Sequence, residues 1–302
     1  MDARWMPVGP AQTDLARLGG LEAEIVEQSA LVGAVYGSII LVGLFIAIRF
    51  LLRLRTRPLA WRAALSQLYW RPWGWAECRT LLLILATAFA VSLVLRPVLH
   101  RLAAASGWSM NSFLVVLQSL LFHWIGLAAV VGLLAQRRLP WRSAFGLYPA
   151  TLLHKAGCGV LILLGTMPVL VVATLLYNLI LQGFGFQPTL QDVAFIISDE
   201  TSVWMRVYFF LLAVVLAPLF EEILFRGILL PALAKRFGAT ASTVAISLLF
   251  AGIHGHVPSL VPLFILSVSL CMAYIGTGSL ATSIAMHALF NGVTVTLLFV
   301  IR

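Results

Sequence analysis

Long apolar runs with almost no charge recur from residue 30 to the end of this chain, and they leave it few ways to fold. An α-helix needs about 20 such residues to cross roughly 30 Å of hydrocarbon. Inside lipid the backbone must satisfy its own hydrogen bonds, which a helix does within one segment. The runs at 30–51, 80–99, 112–135, 156–182, 204–235, 240–255, 258–276 and 280–301 therefore predict eight transmembrane helices, the sixth rather short. The expected fold is all-α, a polytopic integral membrane helical bundle of about eight helices. Composition agrees: 61% of the 302 residues are hydrophobic and 10% charged, where soluble domains carry about a quarter charged residues.

The charges that remain orient the spans. Arg49, Arg53, Arg55, Arg57, Arg62, Arg71 and Arg79 crowd the first connection, "QRRLPWR" (Gln136 to Arg142) fills another, and Lys235 with Arg236 ends the fifth run. Basic connections stay in the cytoplasm. The first 29 residues and the stretch 183–202 are acidic, the latter without Lys or Arg, so both are expected outside. This predicts a multi-pass protein of a plasma membrane, the bacterial inner membrane in the simplest reading, with both termini extracytoplasmic. Trp61, Trp70, Trp73 and Trp75 in the first basic connection suggest a segment lying on the headgroups. The net charge of +9 follows from this topology and forms no basic stripe, so no nucleic-acid partner is expected. Cys78, Cys158 and Cys271 are far apart and suit neither a disulfide nor a thiolate metal framework. The N-terminus lacks a basic region followed by an apolar core, so no cleavable signal peptide is expected. The chain divides into an acidic tail (1–29), an N-terminal helical region (30–199) and a C-terminal region (200–302).

That last region holds the residues that a membrane helix least tolerates. Glu221 and Glu222 stand together in "FEEILFRG", and no acid follows them. One charge at a helix centre costs about 2.5–3.5 kcal/mol on insertion, and such residues are functional candidates by default. Glu222 and Arg226 are four apart and share a helix face, whereas Glu221 points about 100° away. This spacing suits an acid supported by arginine beside a second acid facing a cavity; it also suits a salt-bridge cluster near the helix end. Two later helices add polar faces: Phe250 and His254 in "LFAGIHGH", and His287 and Asn291 in "AMHALFNG", each pair four apart. His100, His123 and His154 read as packing or interfacial residues, and His256 as a loop residue.

Taken together, "EEILFRG", "FAGIH" and "HALFNG" resemble the EExxxR, FxxxH and HxxxN motifs of the CAAX prenyl protease 2-like (CPBP) intramembrane glutamic endopeptidases, in the family's order. The resemblance covers about residues 200–302; the preceding two hundred match only as generic helices. It implies a protease in which Glu221 deprotonates a water that His254 helps to hold, while His287 and Asn291 donate to the oxyanion. Glu222 and Arg226 would position the base, with Phe250 in support. It implies no cofactor, and as partners the lipid bilayer and a peptide or protein substrate, lipid-modified in some members. Two other readings remain open: a zinc protease with Glu221, His254 and His287 as ligands, although no HExxH occurs, and a non-catalytic scaffold, immunity or transport protein that uses the cluster for binding. The active site is expected in a cavity open to the cytoplasm.

Overall fold

The computed structural model describes residues 33–34, 37–53, 55–56, 58–106, 109–186, 189 and 191–300; the acidic tail 1–29 lies outside them. The described residues form helices and no strand. The main ones are α1 (37–53), α2 (Pro58–Tyr69), α3 (Trp75–Val94), α4 (Ser112–Gln136), α5 (Leu152–Gly183), α6 (Val203–Phe237), α7 (Ala239–Ile253), α8 (Leu260–Thr277) and α9 (Leu280–Val300). Six helical stretches are long and apolar enough to cross a membrane: Trp75–Val94, Ser112–Gln136, Pro149–Gly183, Val203–Phe237, Val257–Thr277 and Leu280–Leu297. The chain is thus a multi-pass helical membrane bundle. Of the eight expected spans, 30–51 runs partly beyond the described residues, and 240–255 becomes α7, an apolar helix of only 15 residues.

Small residues let the long helices cross closely. On α5, a Cβ at Gly159 would collide with the Thr282 carbonyl of α9. A Cβ at Gly43 of α1 would strike the Leu164 carbonyl and the ring of Pro168, the proline inside α5. Without a hydrophobic force between helices in lipid, such backbone-to-backbone packing is a main source of association. α5 has 32 residues, about 48 Å at 1.5 Å per residue, so it extends past the hydrocarbon.

Two polar ends frame the bundle. At the basic end the cations cap loop carbonyls. Arg71 donates to the Ser143 carbonyl at 3.0 Å and to that of Gly278, and its guanidinium lies over Tyr274. Lys235 donates to the carbonyls of Arg71 at 2.6 Å and Trp73 at 2.8 Å, and Lys155 to that of Thr277 at 2.7 Å. Gly278 takes a φ of 65° to end α8, a conformation that glycine adopts without strain. Trp73 departs from the interfacial expectation. It is fully buried, stacked on Phe145, and its indole N–H donates to the Ala144 carbonyl at 3.1 Å. With its one polar group satisfied, the ring packs as core, whereas Trp70 is 86% exposed. At the opposite, acidic end Glu200 accepts from the Ser112 hydroxyl and the Ser202 N–H, and these bonds hold its carboxyl below the usual carboxylate range.

The Gly159 crossing is testable by thermal unfolding in detergent. Gly159→Leu should cost about 1–3 kcal/mol, the usual effect of overpacking, and lower the melting temperature. Gly157→Ala, two residues earlier on the opposite face of α5 with open space around it, should leave the temperature unchanged or raise it.

Candidate active site

The site is built outward from one carboxylate. Glu222 is fully buried in α6, and its Oε1 accepts from Arg226 Nη1 at 2.8 Å and from His287 Nδ1 of α9 at 3.0 Å. Arg226, also fully buried, turns its other nitrogen to α8, where Nη2 donates to the Ser267 hydroxyl at 2.6 Å and to its carbonyl at 3.2 Å. The guanidinium carbon lies 4.7 Å from the ring centroid of Phe250 on α7. One ion pair therefore joins four helices. A cation over a desolvated aromatic face contributes more than one in water, and charge-assisted hydrogen bonds are the strong class.

Phe250 is the hub of the aromatic layer. It is fully buried, meets Phe225 edge-on at 5.4 Å and His287 at 5.7 Å, and contacts the His254 ring at 4.8 Å. His254 caps the end of α7, half-buried, with Nδ1 at 2.6 Å from the Phe250 carbonyl one turn back. The carbonyl accepts only from an N–H, which places a proton on Nδ1. The loop after it is anchored towards the acidic end: His256 meets Thr189 and Ser259, and the Tyr177 hydroxyl donates to the Val257 carbonyl. α7 thus ends well beyond the glutamates, which is why His254 comes so late in its helix.

Glu221 differs from its neighbour. Its side chain is 21% exposed, and its Oε2, itself shielded, makes no hydrogen bond and lies 3.9 Å from His287 Nε2. That separation is beyond a hydrogen bond. His287 thus addresses both acids, one through each nitrogen. Asn291, one turn further along α9, donates through Nδ2 to the Ala213 carbonyl of α6 at 2.9 Å.

The helix geometry around these residues is irregular. π-helical turns occupy Leu212–Leu216 and Ile223–Leu229 on α6, on both sides of the glutamates, and Ser119–Trp124 on α4. Such turns often accompany functional sites, because an extra residue per turn re-aims side chains and frees a carbonyl. The Ala213 carbonyl taken by Asn291 belongs to one of them.

Of the residues singled out in the sequence, Glu221, Glu222, Arg226, Phe250 and His287 come together directly. His254 joins through its ring contact with Phe250, and Asn291 sits beside the group without a hydrogen bond to either acid. Among the described residues no three His, Cys, Asp or Glu side chains converge in an arrangement suited to a metal. Towards the basic end, Glu222 through Ala232 are all buried. Two further residues belong to the neighbourhood. Ser267 carries no motif, and only the fold reveals its bond to Arg226. His123 of α4 lies edge-on to Phe220, with ring centroids 5.6 Å apart, and interacts electrostatically with Glu221; a lone histidine in an apolar run gives no sign of this.

A family model described as Type II CAAX prenyl endopeptidase Rce1-like matches residues 203–293. Over this segment the chain is similar to that family. The match runs from the start of α6 to just past Asn291, so it takes in every motif residue and leaves α1–α5 outside. It carries the coarse function, that of a membrane-embedded protease of the CAAX endopeptidase kind. No curated protein and no solved structure matches the chain.

The buried pair can be tested on stability alone. Arg226→Met leaves the Glu222 carboxylate without its main partner and should cost about 3–5 kcal/mol, as breaking buried pairs does. Adding Glu222→Gln should recover part of that loss in detergent melting. An unchanged melting temperature for the single variant would contradict the pair's burial.

Proposed function

We propose that this protein is an intramembrane endopeptidase that cleaves a membrane-associated peptide or protein with a water activated by Glu221. The observation that supports it best is His287 held by one glutamate at 3.0 Å and set 3.9 Å from the other, within the segment that matches a protease family.

Each residue has a chemical part. Glu221 combines partial exposure with an oxygen free of hydrogen bonds, which suits a group that must take a proton from water. The water oxygen attacks the scissile carbonyl carbon, its proton passes to Glu221, and Glu221 returns that proton to the leaving amine. Glu222 also has one oxygen without a hydrogen bond, but it is fully buried and its other oxygen is held by Arg226 and His287. By accepting from Nδ1 it fixes the ring of His287 and leaves Nε2 facing the reaction side, the same orienting logic that a buried carboxylate serves in hydrolase triads. In its imidazolium form His287 donates through Nε2 to the developing oxyanion; in its neutral form Nε2 accepts. Asn291 has two amide hydrogens, so donation to Ala213 leaves one for the substrate. Arg226 balances the buried charge, and His254 keeps Nε2 available because Nδ1 is engaged with its own helix. Donors fixed in a water-poor site are worth several kcal/mol of barrier lowering.

The proposal uses no cofactor and places the protein in the plasma membrane with both termini outside. The substrate is a peptide presented within the bilayer, and lipid modification of it is a matter for assay. The test uses purified wild type, Glu221→Gln and His287→Ala on a quenched, membrane-anchored peptide library in proteoliposomes. Glu221→Gln should lose at least about 100-fold in kcat/KM, in the range for general-base removal, with its melting temperature preserved. Equal turnover in all three proteins would sink the assignment. Activity lost with a chelator and regained with zinc would replace glutamate-only chemistry with the metal mechanism.

A further inference from the structure

We propose that His123, on α4 and outside the family-matched segment, is a positioning residue for Glu221. The inference rests on the reading of Glu221 as the base.

Its starting point is the crossing of α4 and α6. Gly126 faces Phe220 so closely that a Cβ there would collide with the phenyl ring. Ser119, Gly126, Val130 and Leu134 are all buried and fall at steps of seven, four and four residues, so they form the stripe of α4 turned towards the bundle. His123 occupies the matching place in that stripe. Its ring meets Phe220 edge-on with an interplanar angle of 77°, and Phe220 is the residue immediately before Glu221. The crossing therefore delivers an imidazole to the segment that carries the base.

What sets this histidine apart from a packing residue is its polar chemistry. Its Nδ1 is buried and meets no hydrogen-bond criterion, although the Ser119 backbone one turn earlier acts on the ring. The charged group that acts on the ring is Glu221, whose Oε2 is likewise shielded and without a hydrogen bond. A buried polar atom without a partner is unfavourable, and leucine or phenylalanine could fill the same space against Phe220 without that cost. Both ends of the pair sit beside π-helical turns, Ser119–Trp124 around the histidine and Ile223–Leu229 just after the glutamates. Glu221 thus lies 3.9 Å from the His287 imidazole of α9 and within electrostatic reach of that of His123 on α4. The first orients the reacting side; the second steadies the carboxylate from the N-terminal half of the protein.

This assignment makes α4 part of the machinery and not only of the scaffold. It predicts that catalysis is sensitive to a hydrogen-bonding group at 123 while folding is not. His123→Phe keeps the aromatic contact with Phe220 and removes the polar atoms; His123→Gln keeps hydrogen bonding without the ring.

The experiment measures kcat, KM and detergent melting temperature for wild type, His123→Phe, His123→Gln and Glu221→Gln in proteoliposomes. His123→Phe should lower kcat by about 10–100-fold, the scale set by misplacing a reacting group, with KM within about twofold and melting unchanged. His123→Gln should recover most of that loss. Wild-type kcat in His123→Phe would overturn the proposal, as would equal losses of kcat and stability in both His123 variants, since both results describe packing. An active Glu221→Gln would instead remove the general-base reading on which the proposal stands, so the two failures are told apart.

Discussion

The buried Glu222–Arg226 pair is the constraint on which the rest of this structure depends. Placing two full charges inside a membrane bundle is costly, and the bonds of Arg226 Nη1 and Nη2 and of Glu222 Oε1 offset that cost, while Arg226 Nε and Glu222 Oε2 find no hydrogen-bond partner. Arg226 reaches Ser267 on α8 and Phe250 on α7, while Glu222 reaches His287 on α9. The result fixes four helices in one register relative to each other. It also explains the absence of slack: Glu222 through Ala232 are buried without interruption, because the helix that carries the pair must be enclosed on all sides for the pair to be dry.

Against that rigid block, the functional freedom falls to residues one step away from it. Glu221 precedes the pair and keeps an unbonded oxygen; His254 follows Phe250 by a turn and keeps one nitrogen; Asn291 follows His287 by a turn and keeps one amide hydrogen. In the last two cases the helix repeat sets a more accessible partner on nearly the same face as a buried anchor, whereas Glu221 gains its exposure by pointing about 100° away from Glu222. The motif spacing of four is thus a division between a residue that is fixed and one that can act. Phe250 and His287 show it most clearly, since each is fully packed and each positions the next polar group along its helix.

Much of this was legible in the sequence, for identifiable reasons. Apolar length marked the spans, because lipid imposes a minimum number of residues on any helix that crosses it. Charge spacing marked Glu222 with Arg226, since a helix makes residues four apart neighbours whatever the tertiary fold. Other features were hidden. The three π-helical turns have no compositional signature and arise from how α4 and α6 pack. Trp73 looked interfacial by its neighbours Trp70 and Trp75, yet only the fold supplies the Ala144 carbonyl that lets it be buried. His123 and Ser267 gave no signal because their partners lie 98 and 41 residues away in helices of unrelated pattern.

The packing towards the basic end also bears on how the two halves of the chain relate. Phe145, from the short helix Trp141–Phe145, packs on Gly227 so tightly that a Cβ there would touch its ring, and Trp73 stacks behind Phe145. These residues come from the region that matches no family, as do Gly126 and the α4 face against Phe220. The N-terminal half thus packs on the glutamate helix beyond the pair and meets it again at Phe220, next to Glu221. A family resemblance confined to residues 203–293 therefore marks the part of the protein that carries the motif, while the environment of Glu221 depends on helices that the motif does not specify. Two chains sharing the same glutamates and histidines could differ in the access and the polarity around Glu221 through α4 alone. The chemistry follows the motif, and its tuning follows the packing around it.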